Sequence, residues 1–346
     1  MSTETPSTTR EIRLVSMPEH LPGPDHLSVV ETPLPAPGPG QVVVRNRYFL
    51  VFPGLRTLIG GRAEGVPLPP VRVGDALFGP AVGEVVAVGP GSGLRPGDEV
   101  THMLGWREHA LLAETDCAPL GDALPDPVAY LSSGAPAYAA LSRIAVVRPG
   151  DTVLVTGAAG AVGSLAGQLA RLLGAGRVVG TTRSPHKAER LRAELGYDAV
   201  LVPGATPFAE QLAAAVPDGI DVLLDTVGGE QLTAAVGAAR RGARFALVGA
   251  LSGQLSAEPD GDGASAPAEI DTFRIINLGI TLHGVSSADL GPATAEWSKR
   301  FGEWLRSGEI VFPQVRIPGI DRAPGALQEL FEGRHSGTVV VELPRR

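Results

Sequence analysis

The sequence predicts an α/β protein: a doubly wound, Rossmann-type parallel sheet preceded by a β-rich domain resembling a partly closed antiparallel barrel. A short β-branched run, Thr152 to Thr156, stops at a glycine-rich turn, Ala158-Ala-Gly-Ala-Val-Gly163, and a helix-like segment starts around Ala161. From about Pro127 onward, helix-like and strand-like segments alternate, a pattern that places helices on both faces of a parallel sheet. Ahead of that point, short apolar runs are separated by Gly- and Pro-rich turns, as in antiparallel barrels.

A chain of 346 residues suits two domains better than one. Mean hydropathy of +0.14 is sufficient for sizeable cores. The net charge of −8 and the lack of a basic run argue against nucleic-acid binding, and no apolar stretch is long enough to span a membrane. Met1 to Arg10 is polar and Ser/Thr-rich, lacks the apolar core of a signal peptide, and is expected to be disordered. Cys117 is the only cysteine, so neither an internal disulfide nor a Cys-based zinc site can form, and a reducing cytoplasm is the expected location.

In the first part, Gln41 to Val51, Gly83 to Gly89 and Glu99 to Met103 read as strands, with a turn at Leu94-Arg-Pro-Gly-Asp98. In the second, Val128 to Val146 reads as a helix with a Gly-Ala-Pro break. Strands are expected at 152–156, 177–182, 199–202, 220–225 and 243–248, with helices at 161–173, 185–195, 208–215 and 230–238 between them. Ser252 to Ala268 reads as a mobile loop capping the substrate side, Thr281 to Val285 as a strand, and Ala293 to Arg306 as an amphipathic helix. Gly337 to Leu343 is a final strand able to return to the first domain. The expected division is a disordered 1–10, a β-rich catalytic domain of 11–126 and 312–346, and a dinucleotide-binding domain of 127–311.

A strand–tight turn–helix junction presents backbone N–H groups and a helix N-terminus to an anion, usually a dinucleotide pyrophosphate. The strand run from Arg177 to Thr182 completes the βαβ unit that this fingerprint requires. An NAD site carries Asp or Glu about 20 residues past the glycines, on the ribose 2′-OH. Here that place reads Thr181-Thr-Arg-Ser-Pro-His-Lys187, without an acid. Arg183 and Lys187 suit a 2′-phosphate and Ser184 adds a hydroxyl. Lys187 and Lys299 are the only lysines in the chain, which separates Lys187 from an ordinary solvated surface. The expected cofactor is NADP(H).

Several further segments extend the pattern: Gly83-Glu-Val-Val-Ala-Val, Met103-Leu-Gly-Trp-Arg-Glu-His109, Pro217-Asp-Gly-Ile-Asp-Val-Leu-Leu-Asp-Thr-Val-Gly-Gly229 and Leu330-Phe-Glu-Gly333. With the glycine turn, in this order, they resemble the medium-chain dehydrogenase/reductase superfamily, and within it the zinc-free branch of prostaglandin reductases and alkenal double-bond reductases. The resemblance implies a split-barrel (GroES-like) catalytic domain beside the Rossmann domain, an active site between them, and a typical homodimer. It implies NADPH-dependent reduction of the C=C bond of an α,β-unsaturated ketone or aldehyde, with an enolate protonated at the α-carbon. The alternatives are an NADPH:quinone reductase and a non-redox, cyclase-like derivative of the fold.

Carried over residue by residue, the resemblance puts Gly160, Ala161, Val162 and Gly163 at the pyrophosphate and Arg183, Ser184 and Lys187 at the 2′-phosphate. Thr226 falls where the family often has Asn beside the nicotinamide half. Gly249, Ala250 and Leu251 follow the fifth strand, and Val285 and Ser286 match the segment lining the carboxamide. The departures concern the reacting end. The family's Asp-Pro-Tyr-Met-Arg is Phe52-Pro-Gly-Leu-Arg56 here, a second family tyrosine aligns near Phe273, and Pro136 replaces a Thr. Tyr138 and Ser286 are the remaining candidate proton donors, with water or the cofactor ribose as alternatives. Tyr138 reads more readily as core packing, and His102 and His283 as ordinary histidines. Phe52, Gly54, Trp106 and Phe273 are the expected substrate-pocket residues, with Gly54 opening room for a bulky enone and Trp106 and Phe52 alternatively belonging to the core. No metal is expected.

Overall fold

The computed structural model describes residues 6–60, 68–256 and 265–344. Its elements, in chain order, begin with β1 (Thr8–Leu14), β2 (Leu27–Pro33), β3 (Gln41–Val51), α1 (Leu55–Gly60), β4 (Ala81–Val88), β5 (Glu99–His102), β6 (His109–Ala113) and β7 (Ala118–Pro119). Then come α2 (Gly134–Ala139), β8 (Thr152–Val155), α3 (Gly163–Leu172), β9 (Arg177–Thr181), α4 (Pro185–Glu194), β10 (Ala199–Leu201), α5 (Phe208–Ala215), β11 (Ile220–Asp225), α6 (Gly229–Gly237) and β12 (Ala239–Leu247). They close with α7 (Leu251–Gln254), α8 (Thr272–Leu278), β13 (Thr281–Gly284), α9 (Ser287–Ser307), β14 (Gln314–Pro318), α10 (Ala323–Phe331) and β15 (Thr338–Glu342). The chain divides into two compact units, one holding the residues through Leu131 and from Val315 onward, the other Ser132–Ser256 and the stretch ending at Gln314.

The first unit is built on a seven-stranded sheet in the order β14-β15-β3-β4-β5-β7, with β6 also on β3; the pairs from β15 through β7 and the β3–β6 pair are antiparallel. β3 is the axis of the sheet. One edge pairs along β4, while the other pairs first with β6 from Gln41 to Arg45 and then with β15 from Tyr48 to Val51. β3 is buried almost throughout rather than alternating, as a strand covered on both faces is. Val42, Val44, Val85, Val100, Ala110 and Leu112 fill the barrel interior. β1 and β2 form a separate hairpin. Its first residues, Thr8 to Arg10, lie in the segment expected to be disordered. They are instead paired with Pro33, Thr32 and Glu31.

The second unit is a six-stranded, wholly parallel sheet in the order β10-β9-β8-β11-β12-β13. Leu154, Val179, Leu223 and Phe245 lie in one buried cluster with Phe208, Leu212, Leu232 and Val236 of α5 and α6. Strand order reverses between β8 and β11, and in such sheets ligands bind outside the carboxyl ends of the strands at that reversal.

Several expectations need correction. The expected long helix at 128–146 is a 3-10 turn at Pro127–Leu131, then α2, then a π-helical turn at Ala140–Ile144. Gly134, inside the expected break, is where α9 comes closest: a Cβ there would stand 1.9 Å from the Trp297 ring. α9 starts at Ser287, six residues ahead of the expected Ala293, and carries Pro292 within it. The segment expected as a capping loop opens with α7, and its middle, 257–264, lies outside the described residues.

Candidate functional site

The carboxyl ends of β8 and β11 are cross-linked by short polar side chains. The Thr156 hydroxyl donates to buried Asp225, which also accepts from the N–H groups of Val227 and Gly228. Thr226 donates its N–H to Thr156 Oγ1 and its hydroxyl to the Thr156 carbonyl, both at 2.8 Å. The strands thus end at a fixed separation, and the glycine turn leaves from that point.

The two glycines that bound the turn have no room for a side chain. Gly157 has φ +61°, and a Cβ there would meet Thr226 Oγ1 at 2.4 Å. A Cβ on Gly163 would come within 2.5 Å of the Gly157 carbonyl. Gly157 donates its N–H to Thr181 Oγ1 at 3.0 Å, and the Thr181 hydroxyl donates to Gln231 Oε1 at 2.7 Å. Gly160 is exposed, Ala161 and Val162 are half-buried, and the N-terminus of α3 carries no side-chain cap. A close-packed backbone leading into an uncapped helix start offers N–H groups to an external anion, and so fits a dinucleotide pyrophosphate.

The second positive feature follows β9. Ser184 caps α4, its Oγ accepting from the Lys187 N–H at 3.4 Å. Arg183 is exposed and Lys187 half-buried. Burial, and then the Arg183 charge, press the Lys187 ammonium below its ordinary pKa. Two cations at a helix N-terminus oppose both each other and the helix dipole. A phosphate between them relieves both conflicts. The donor set thus fits a 2′-phosphate.

The remaining cofactor candidates share this edge of the sheet. Gly249 donates its N–H to the Asp225 carbonyl at 3.2 Å, and Leu251 donates to the Thr226 carbonyl at 3.0 Å, with Ala250 between them. Val285 extends β13, donating to the Leu247 carbonyl at 2.8 Å. Ser286 caps α9, its hydroxyl and its N–H both donating to Asp289 Oδ2, at 2.7 and 2.8 Å. His283 Nε2 lies 3.4 Å from Asp289 Oδ1. The bonds from the Ser286 hydroxyl and then its N–H hold the Asp289 carboxyl below its usual range.

The residues expected to do chemistry behave differently. Tyr138 is buried, donates its hydroxyl to Glu296 Oε1 at 2.6 Å, and packs near Trp297 and Trp304 between α2 and α9. Burial and the Glu296 carboxylate raise its phenol above the ordinary value. Both hold the proton on the phenol, which marks Tyr138 as a packing residue and counts against it as a proton donor. His102 is likewise structural. The Leu104 N–H donates to its Nδ1 at 3.0 Å, which leaves the proton on Nε2 to reach Asn46 Oδ1 at 2.8 Å, and burial pushes its pKa down to about 4.

In the first unit, the space that Gly54 was expected to free is filled. A Cβ on Gly54 would stand 3.0 Å from the Phe52 ring, and one on Gly79 2.8 Å from its other side. Trp106 is 0% exposed, 5.2 Å from the Phe49 ring, and holds φ +62°. It is a core residue, not pocket lining. Phe273 lies in the second unit on α8 and is 73% exposed. Sequence reasoning missed Thr156, Thr181, Gln231 and Tyr197, none of which forms a motif by spacing. Asp225 stood inside the quoted Pro217–Gly229 segment but signalled no contact by itself.

A parallel sheet with a reversal-point glycine turn and a following pair of cations defines a dinucleotide-binding oxidoreductase architecture. Comparison with known proteins agrees. Residues 10–120 match the family model described as the N-terminal domain of oxidoreductase, and residues 161–306 that described as zinc-binding dehydrogenase. The NADPH-dependent curcumin reductase of Escherichia coli is 30% identical over 95% of each chain. Prostaglandin reductase 1 of Bos taurus is 31% identical over 89% of this chain and 91% of its own. The structure of CurA from Vibrio vulnificus in complex with NADPH superposes with a TM-score of 0.86 at 28% identity, covering 97% of this chain and all of that one. The chain belongs to the medium-chain dehydrogenase/reductase superfamily, in its zinc-free branch of prostaglandin and alkenal reductases. Among the described residues, no group of three or more His, Cys, Asp or Glu is placed to hold a metal ion.

Proposed function

We propose that this protein reduces the C=C bond of an α,β-unsaturated ketone or aldehyde with NADPH. The observation that carries the reading is the shared edge of the parallel sheet: an uncapped helix behind a tight turn bounded by glycines, with Arg183 and Lys187 gathered at the next helix start. The NADPH-dependent curcumin reductase relative and the NADPH complex of CurA support both the cofactor and the substrate class. The backbone of Gly160, Ala161, Val162 and Gly163 would hold the pyrophosphate. Arg183, Ser184 and Lys187 would hold the 2′-phosphate. Thr226, Gly249, Ala250, Leu251, Val285 and Ser286 would border the nicotinamide half, and the β-rich unit would supply the catalytic domain. When bound, the nicotinamide supplies the hydride for the β-carbon of the enone.

The negative charge then resides on the substrate as an enolate, and the α-carbon takes up a proton. Tyr138 and Ser286 both have their hydroxyl hydrogens committed to carboxylates. We therefore assign that proton to water. Turnover in D2O with unlabelled NADPH is expected to place one deuterium at the α-carbon. Tyr138→Phe and Ser286→Ala are each expected to keep kcat within about threefold, well short of the ~100-fold typical of losing a general acid. A hundredfold loss in either would restore it as the donor. The activity itself is tested by NADPH consumption with a panel of enones and quinones and mass analysis of each product. A saturated ketone supports the reading, and a hydroquinone overturns it.

We further propose a cytoplasmic homodimer. β13 is the edge strand of the parallel sheet and is largely exposed, and Phe273 and Ile276 on adjoining α8 are 73% and 75% exposed. An open strand edge beside apolar side chains is a natural surface for a second copy. Light scattering should show a dimer that Phe273→Glu with Ile276→Glu converts to monomer. Cys117 is the sole cysteine, so the chain forms no internal disulfide, as suits a reducing compartment. No helix among the described residues is long and apolar enough to cross a membrane.

A further inference from the structure

The two glycines that bound the turn are each held by a buried hydroxyl. Gly157 is held by Thr181, as described above. At the other end the Tyr197 hydroxyl donates to the Gly163 carbonyl at 2.6 Å. Tyr197 lies between α4 and β10 and is 3% exposed. Its ring occupies space that two other glycines leave open. A Cβ on Gly167 of α3 would stand 2.3 Å from the ring, and one on Gly180 of β9 would stand 2.7 Å from it. The Tyr197 N–H donates to the Leu191 carbonyl of α4, and the next residue, Asp198, donates its N–H to the Val178 carbonyl of β9. The side chain is thus a strut between α3 and the strand and helix that carry Arg183 and Lys187.

Ring burial alone does not require a hydroxyl, since phenylalanine would fill the same space. A phenol at this depth needs a partner, and the hydroxyl finds it in α3, donating to the carbonyl of that helix's first residue beside the Gly167 backbone. That residue is also the one packed hardest against the turn, through the Gly157 carbonyl. Any drift of Gly163 therefore moves the turn with it.

We propose that Tyr197 is a positioning residue for the cofactor: by bonding the Gly163 carbonyl it fixes where the N-terminus of α3 meets the pyrophosphate. The inference rests on the NADPH reading above. It requires no contact between Tyr197 and the cofactor, so it predicts a loss confined to ligands that engage the turn.

The test is calorimetric titration of the full chain and of Tyr197→Phe with two ligands. NADPH carries both the pyrophosphate and the 2′-phosphate. Adenosine 2′-monophosphate carries the 2′-phosphate without a pyrophosphate. Tyr197→Phe is expected to raise the NADPH Kd about fivefold, the size of one net hydrogen bond. The Kd for adenosine 2′-monophosphate should stay constant. Gly167→Ala, which drives the ring from its place, should give the same split. An unchanged NADPH Kd in both variants overturns the proposal. So does an equal loss for the two ligands, which would report a generally loosened unit. Failure of the unaltered protein to bind either ligand would instead overturn the NADPH reading, before any variant is compared.

Discussion

The nucleotide edge of the parallel sheet and the region around Phe52 and Trp106 are built in opposite ways. At Gly157–Gly163 the two end glycines leave no space for a Cβ, hydroxyls converge on backbone, and two cations lie near each other at the next helix start. Around Phe52 and Trp106 the side chains fill space: the Phe52 ring takes the room left at Gly54 and Gly79, and Trp106 packs against Phe49. The first arrangement suits an anion, and the second is apolar packing. Phosphate recognition uses backbone and charge, which a short motif determines locally. A substrate pocket depends on side-chain directions that only the tertiary fold sets.

Variants can break or sharpen this contrast. The largest effect is expected at Trp106→Ala, which should cost about 3–5 kcal/mol of stability, as large aromatic truncations in cores do. Thermal unfolding would show it, while NADPH affinity should stay within about twofold, as expected where the two regions belong to separately packed units. A parallel loss of NADPH affinity would erase the distinction between the two regions.

Next comes acid sensitivity of the first unit. The His102 ring is kept neutral by burial, so the unfolded chain takes up a proton near pH 6.5 that the folded chain accepts only near pH 4. Its contribution is complete above pH 6.5 and falls as pH drops through that window, by roughly 3 kcal/mol at the bottom. Denaturant unfolding from pH 7 to pH 4 should show this slope, and His102→Gln should flatten it. An unaltered slope in the variant would assign the acid sensitivity to other groups.

Gly163→Ala forces a Cβ against the Gly157 carbonyl and should raise the NADPH Kd about 10- to 100-fold, the range expected of overpacking. Smallest, Arg183→Ala and Lys187→Ala should each weaken NADPH about tenfold and leave NADH unchanged, as expected for a charged hydrogen bond to the 2′-phosphate. Equal weakening of NADH would place these cations elsewhere on the cofactor.

The same contrast explains what the sequence made legible. The parallel sheet, the glycine turn and the Arg183–Lys187 pair could be read because each is a local pattern with a fixed spacing. The split of 128–146 into three short helical pieces could not, because Trp297, far along the chain, occupies the space beside Gly134. Tyr138 looked better suited to packing than to chemistry, and Glu296 holds its hydroxyl. Gly54 illustrates the converse error. A small residue in a sequence suggests empty space, yet here it makes room for its neighbour two positions earlier. Thr181 and Tyr197 went unread because they act on the turn from other strands and loops, at no characteristic distance in the chain.

The pairing of β3 also governs how this protein emerges during synthesis. The first half of the strand, Gln41 to Arg45, finds β6 soon after it leaves the ribosome, but Tyr48 to Val51 must wait for β15, which is made last. In the interval an apolar edge bearing Phe49, Leu50 and Val51 has unpaired N–H and C=O groups, the kind of template on which nascent chains stick to one another. Every strand of the parallel sheet is already available by then, so the interior of the chain is able to fold before its beginning does. A product stopped short of Thr338 would carry a well-formed nucleotide unit attached to a permanently open strand, and it would be lost to aggregation rather than to want of cofactor.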